Sequence, residues 1–331
     1  MRQFASNNRN PAASRWSFAL LSAILLLFGV SESARAQGKA VPQSSTCVPS
    51  NLNALIVPEG KAFHVRELKE GLDQKGRESG GASSSDASQD PSDAQQRKEA
   101  YEVFSKEAKQ GNPAAMTNLA VSSLAGWGGK PNTGAALYWL HTAADRGFGA
   151  AFYDLGILYF KGCGVRQDMA EAFHFFELGA KRGYAAAQVN LGYLYDHGLS
   201  VAQDPTAAAH WYLLAAESGE AQAQYNLADL YLHGEGVPPD EPAAFGWYQK
   251  AALQGDAGAR IMLGSMLAAG RGTSKDLAGA YFWIFAAVLQ GDARGVSLLR
   301  TLERQLPDAE IEEAKARAQL LLAGVQTAKN R

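Results

Sequence analysis

"AQAQYNLADLYLHGEGVPPDEPAAFGWYQKAALQGD", Ala221 to Asp256, holds two apolar-rich segments separated by a turn of Gly, Glu, Val and Pro. Its landmarks recur along the chain. Gly111, Gly147, Gly183, Gly219, Gly255 and Gly291 follow one another at a step of 36 residues. Leu119, Leu155, Leu191, Leu227 and Leu263 keep the same step, as do Ala115, Ala151, Ala187, Ala223 and Ala259, and Gly126, Gly162, Gly198, Gly234 and Gly270. An aromatic ring returns at Trp139, Phe175, Trp211, Trp247 and Trp283, three residues after Ala136, Ala172, Ala208, Ala244 and Ala280. A fixed period of this length is the signature of stacked repeats, in which no unit buries its apolar face alone.

Each unit reads as two helices. In "AAAQVNLGYLYDHG" (Ala185 to Gly198), Ala187, Leu191, Leu194 and Tyr195 fall at helical spacing. Gly198 is the expected stop, because glycine takes the left-handed conformation without steric cost. After the turn, Asp204 is the expected N-cap of a second helix with Pro205 in its first position, where a missing N–H is harmless. That helix is expected to bury Ala208, Trp211 and Ala215 and to end at Gly219. Small residues at Gly156, Gly192, Gly264, Ala180 and Ala216 let the backbones approach closely.

The pattern resembles the Sel-one-like repeat, the 36-residue relative of the tetratricopeptide repeat. Ala221 to Asp256 is close to that family's A-x-x-x-L-G-x-x-Y-x-x-G-x-G-V, then D, then A-x-x-W-x-x-x-A-A-x-x-G. Two units depart from it. The first has Ser123 for the Tyr and "GWGGKPN" as its turn, and the fifth has Leu267 for the Tyr. The fold expected is all-α, a right-handed α-solenoid or superhelix of stacked helix-turn-helix repeats.

Working outward, residues 93–111 form a capping half-repeat in which Ala100, Val103 and Gly111 are in register with Ala136, Trp139 and Gly147. Five repeats occupy 112–292, and a helix pair over 293–325 closes the stack with Glu, Lys and Arg on its outer face. Residues 37–92 include the Ser/Gly/Asp-rich stretch "GRESGGASSSDASQDPSD", expected to be a flexible linker, and "KAFHVRELKEGL" (Lys61 to Leu72), a candidate short helix. Residues 1–36 read as a secretory signal. Arg2, Arg9 and Arg15 precede the apolar run "FALLSAILLLFGV", and Ala34 and Ala36 form an A-x-A cleavage site. At roughly 1.5 Å per residue the run is about 20 Å long, too short to span a bilayer comfortably. The expected product is periplasmic or secreted, cleaved after Ala36, without stable membrane insertion, and monomeric.

Composition narrows the chemistry. A net charge of -2 without a Lys/Arg-rich stretch lacks the footprint of a nucleic-acid binder. Export makes Cys47 and Cys163 candidates for a disulfide, although a chain that is 47% hydrophobic can build a core without one. No H-E-x-x-H, C-x-x-C, G-x-S-x-G or Gly-Lys-Ser/Thr phosphate loop occurs. His197 and His233 lie one repeat apart, as do His174 and His210. Equivalent helices in a stack sit about 10 Å apart, whereas two imidazoles on one zinc bring their nitrogens to roughly 3–4 Å. No metal, no cofactor and no catalytic residue are therefore expected.

The resemblance implies a binding wall instead. Tetratricopeptide-like folds hold extended peptides on their first helices, at the residue before Leu-Gly and a turn away. Here those positions are Asn118, Asp154, Asn190 and Asn226, with Tyr153, Tyr225, Tyr193, Asp229, Asp196, His197 and His233 beside them. Asparagine offers a donor and an acceptor to a peptide backbone, and tyrosine offers contact area with a polar tip. The same Asn residues could instead bond neighbouring loops and hold the superhelix together. The expected function is a non-catalytic scaffold or adaptor with a protein or peptide on its concave face. A regulator of an envelope signalling system is the alternative, and a β-lactamase-like enzyme acting on cell-wall material is a more distant one. Cysteine-rich relatives tied to penicillin-type compounds carry a disulfide in each repeat, and this chain has a single cysteine among its repeats.

Overall fold

Helices joined by short turns and loops make up residues 91–329, the part of the chain described by this computed structural model. The export signal, Cys47 and the short helix expected over Lys61 to Leu72 lie outside those residues. There are thirteen helices and no strand among the described residues. A leading helix, α1 (Pro91–Lys109), is followed by five helix pairs. These are α2 (Pro113–Leu124) with α3 (Thr133–Ala144), α4 (Gly149–Lys161) with α5 (Met169–Lys181), α6 (Ala185–His197) with α7 (Pro205–Glu217), α8 (Ala221–His233) with α9 (Glu241–Leu253), and α10 (Ala257–Ala269) with α11 (Leu277–Leu289). The short α12 (Gly295–Glu303) and the long α13 (Asp308–Lys329) end the series.

One turn design joins every pair. Asn132, Asp168, Asp204, Asp240 and Asp276 are N-caps whose side chains accept amide hydrogens from the first turn of the second helix, satisfying donors that have no partner within the helix. The backbone N–H of each cap residue also donates back to the first helix, at Ser123, Tyr159, Tyr195, Tyr231 and Leu267 O respectively, over 2.9–3.0 Å. The first and fifth units, whose residues depart from the pattern at Ser123 and Leu267, make this bond as well, because it uses only backbone. Gly198 and Gly234 stop their helices at φ of 63° and 71°, the left-handed region that a side chain disfavours.

Packing within a pair sets a large side chain against a small one. The ring of Tyr212 lies where a Cβ on Gly192 would stand, at 2.7 Å, and Phe176 and Ile284 occupy the same place over Gly156 and Gly264. This corrects the expectation that Trp211 fills the core. Tyr212 has no exposed surface, while Trp211 is only partly buried, and the same holds for Tyr248 against Trp247. A second helix turns its deepest stripe one residue past the Trp column, and the Trp rings stay partly exposed.

Successive units are tied by buried polar side chains. Gln188 Nε2 donates to Ala180 O (3.3 Å), Gln224 Nε2 to Ala216 O (3.1 Å) and Arg260 Nε to Ala252 O (3.0 Å). Each bond satisfies a carbonyl near the end of the preceding second helix. First helices also touch across units, α2 against α4 and α4 against α6, whereas no two second helices approach comparably. The first helices of the first three units therefore lie closer together than their second helices. From α6 onward that contact loosens, between α6 and α8 and again between α8 and α10.

At the ends, α1 packs on α2 through Ala100, Phe104 and Ala108, and α13 packs on α11 through Ile311, Ala314 and Ala318. Glu310, Glu312, Glu313 and Arg317 face outward on α13. Cys163, buried in the turn after α4, is disulfide-bonded, and Cys47 is the only other cysteine in the chain.

Candidate functional site

Eleven residues of the first helices were expected to line the inner wall, and they fall into two groups. The column Asn118, Asp154, Asn190 and Asn226 sits at one register on α2, α4, α6 and α8. Its first half is sealed. Asn118 and Asp154 are 3% and 7% exposed, because α2, α4 and α6 close on one another there. Tyr153 is buried with them, its ring 5.5 Å from Tyr184 and 6.1 Å from Phe176. Burial raises the Asp154 carboxyl to about 7, and the Tyr184 phenol is pushed to about 12 by its own burial and then by Asp154. The usual solvated aspartate of an exposed helix face is thus not what stands at Asp154.

The second half is open to water. Asn190 and Asn226 are half-buried and bond within their own helices, Asn190 Nδ2 to Ala186 O and Asn226 Oδ1 accepting from Gln222 Nε2, both at 2.9 Å. Gln188, Gln224 and Arg260 bridge units, and Asn226 lies beside Tyr212 of the preceding one. On α6 the Tyr193 ring stacks on His197 at 4.1 Å. His197 Nδ1 is 3.1 Å from Tyr193 O and His233 Nδ1 is 2.9 Å from Asp229 O. A carbonyl only accepts, so each of these bonds is made with a proton on Nδ1.

Carboxylates dominate the charge here. Asp229 Oδ1 accepts the Tyr248 hydroxyl at 3.0 Å, and Tyr225 packs edge-on against Tyr248 at 5.5 Å. Burial and then Asp229 push the Tyr225 phenol up to about 12. The Asp196 carboxyl is raised, chiefly by burial; His197 opposes the rise, while Glu235 and Asp229 add to it. Tyr212, fully buried, lies beside Asp196 and Asn226, and its phenol is raised well above its ordinary value by burial and then by Asp196. No group of three or more His, Cys, Asp or Glu that could hold a metal ion occurs among the described residues.

Sequence reasoning brought Tyr193, Asp196, His197, Tyr225, Asn226, Asp229 and His233 to one stretch of α6 and α8, and the structure places them there. It missed Tyr212, Tyr248 and Glu235. The signal for the tyrosines was present in the alternation of small and large residues, Gly192 with Tyr212 and Ala228 with Tyr248.

A second feature belongs to the same two units. Between Arg182 and Lys250 the chain contains no Lys or Arg, and it carries eight carboxylates there, Asp196 and Asp229 among them.

Comparison with known proteins concerns the repeats. The family model described as Sel1 repeat matches residues 113–148, 150–184, 185–220, 221–256 and 257–292. Among solved structures, a protective antigen of uropathogenic Escherichia coli displaying an SLR fold is similar at a TM-score of 0.62 and 31% identity, covering 70% of this chain and 49% of that one. A Sel1 repeat protein from Oxalobacter formigenes is similar at a TM-score of 0.55 and 31% identity, covering 61% of this chain and 58% of that one. The chain thus spans about half the length of those proteins. No curated protein matches. No helix among the described residues is long and apolar enough to cross a membrane.

Proposed function

Because the chain belongs to the Sel1 repeat family, whose members are generally protein-interaction scaffolds, we propose that it is an exported, non-catalytic adaptor that holds a protein or peptide segment along α6 and α8. The observation that carries this reading is the contrast along the inner wall. Asn118, Tyr153 and Asp154 are sealed inside, whereas Tyr193, Asp196, His197, Asn226, Asp229 and His233 remain reachable between two loosely touching helices. Polar tips beside half-buried tyrosine rings are what an extended segment needs for orientation and contact area. The export signal of the sequence puts the adaptor in the periplasm or outside the cell.

The test is capture of partners from envelope extract, with wild type and with the triple variant Tyr193→Ala, Asn226→Ala, Asp229→Ala as baits, read by mass spectrometry. A partner held by the wild type and lost by a folded triple variant supports the reading. Undiminished capture by the variant sinks it. Nitrocefin turnover by the pure protein would replace the adaptor with an enzyme.

A further inference from the structure

We propose that the boundary between the second and third repeats is a hinge built into the solenoid. About it, repeats three to five, with the open wall of α6 and α8, turn against α1 and repeats one and two. The hinge does not depend on the adaptor reading. Two ties recur at the other boundaries between repeats, and both are missing at this one.

The first tie lies at the turn. Gly164, Gly236 and Gly272 occupy one place in the second, fourth and fifth repeats, at φ of 71°, 69° and 68°. A Cβ there would strike Thr133, Pro205 and Glu241 respectively. Each of these opens the second helix of the preceding unit, so the turn rests its backbone directly on that unit. In the third repeat the same place holds Ser200, at φ 69°. Its Cβ keeps the turn from resting as closely on Met169, which opens α5. Ser200 also holds a left-handed conformation that disfavours any residue with a Cβ.

The second tie lies at the opposite end of the helices. There the residue after each second helix reaches back to the glycine that ends the preceding unit. Arg182 Nε stands 3.7 Å from where a Cβ on Gly147 would be. Gln254 Nε2 donates to Gly219 O at 2.9 Å and Gln290 Nε2 to Gly255 O at 3.3 Å. The third repeat has Ser218 instead, whose hydroxyl donates to Leu214 O of its own helix at 3.0 Å. The side chain is too short to span the boundary. Gln224 Oε1 accepts from Gln254, whereas its counterpart Gln188 Oε1 is buried with no partner among the described residues.

What remains is an apolar seat between the two ends. Phe176 and Ala180 of α5 pack with Ala187 and Leu191 of α6, and the Tyr153 ring meets Tyr184 at 5.5 Å. Apolar contact has no preferred direction. A seat of this kind with both ends untied lets two packed bodies rock without unfolding either.

The reporters are Ala187→Cys, Ala223→Cys and Ala259→Cys, one register on α6, α8 and α10, where each alanine has no exposed surface. They are placed singly in the mature protein with its disulfide intact, and a thiol-reactive dye reads how often each boundary opens. Ala187→Cys is expected to react about tenfold faster than the other two. Ser200→Gly with Ser218→Gln supplies the residue types of Gly236 and Gln254. It should slow Ala187→Cys about tenfold and leave Ala259→Cys within about twofold. Equal rates in the three reporters would overturn the hinge, as would an Ala187→Cys rate that the two substitutions leave unchanged. Circular dichroism verifies that each variant is folded. Should Ala187→Cys not fold, trypsin on the protein without added cysteine decides. Cutting after Arg182, between α5 and α6, should slow about fivefold in the Ser200/Ser218 variant, with cutting after Arg166 unchanged. Equal cutting after Arg182 in wild type and variant overturns the proposal.

Discussion

Gln224 Nε2 donates to Ala216 O at 3.1 Å from inside the boundary between the third and fourth repeats, and Gln254 Nε2 reaches Gln224 Oε1 and Gly219 O, both at 2.9 Å. The buried amide thus joins three helices, α7, α8 and α9, through its donor and its acceptor. Truncation to Gln224→Ala leaves Ala216 O buried without a donor and removes one of the two acceptors used by Gln254. Urea unfolding should show a loss of about 1–3 kcal/mol. Gln222→Ala, two residues away on the exposed face, should stay within about 0.5 kcal/mol. Equal effects would mean that the boundary is held by apolar contact alone.

Two helix glycines should respond in opposite directions to the same change. A Cβ on Gly192 would stand 2.7 Å from the buried Tyr212 ring, so Gly192→Ala forces the core apart and should destabilise by about 1–3 kcal/mol. A Cβ on Gly246, inside α9, meets nothing within 4 Å. Gly246→Ala should therefore raise stability by about 0.5–1 kcal/mol through the helix propensity of alanine. Melting temperatures of the two variants, measured side by side, decide this.

That contrast also marks what the sequence could convey. Periodic Leu, Ala and Gly residues disclose the unit, its two helices and its stops, because backbone geometry leaves few residues suited to those places. The Trp column is equally periodic, and periodicity says nothing about angle around the helix axis. Trp211 and Tyr212 are neighbours in sequence, and only packing against Gly192 shows which of them points inward. Depth was hidden for the same reason. Asn118 and Asn226 share a register, yet one is sealed and the other half-open, because the spacing of the first helices changes along the stack. The polar letters at Gln188, Gln224 and Arg260 read as surface until the carbonyls they satisfy are seen.

A chemical titration tests the state of the cysteines. Cys163 is buried and disulfide-bonded, and the chain holds two cysteines in all. Denatured, non-reduced protein should expose no free thiol to a thiol-reactive dye, and the reduced protein should expose both. Any free thiol before reduction contradicts the bond at Cys163. If the bond contributes as disulfides commonly do, reduction should lower stability by about 2–4 kcal/mol.

Stability should fall as pH rises through neutrality, and Asp154 is the cause. Its carboxyl, 7% exposed, is raised from 3.8 to about 7 by burial. Tyr153 and Tyr184 lie beside it, and neither offers a positive charge; the Tyr184 phenol, itself raised to about 12, stays neutral throughout this range. A raised pKa means that the folded state holds the proton more tightly than the unfolded chain. The stabilisation is complete below about pH 4, where both states are protonated, and it is lost as pH rises through 7. At roughly 1.4 kcal/mol per unit the full effect is on the order of 4 kcal/mol. Asp154→Asn supplies the residue found at this register in Asn118, Asn190 and Asn226 and removes the titration. Between pH 4.5 and 8 the wild-type melting temperature should drop relative to that of Asp154→Asn, with the variant the more stable of the two at pH 8. Parallel curves across that range would show that the carboxyl reaches water and is ionised at little cost.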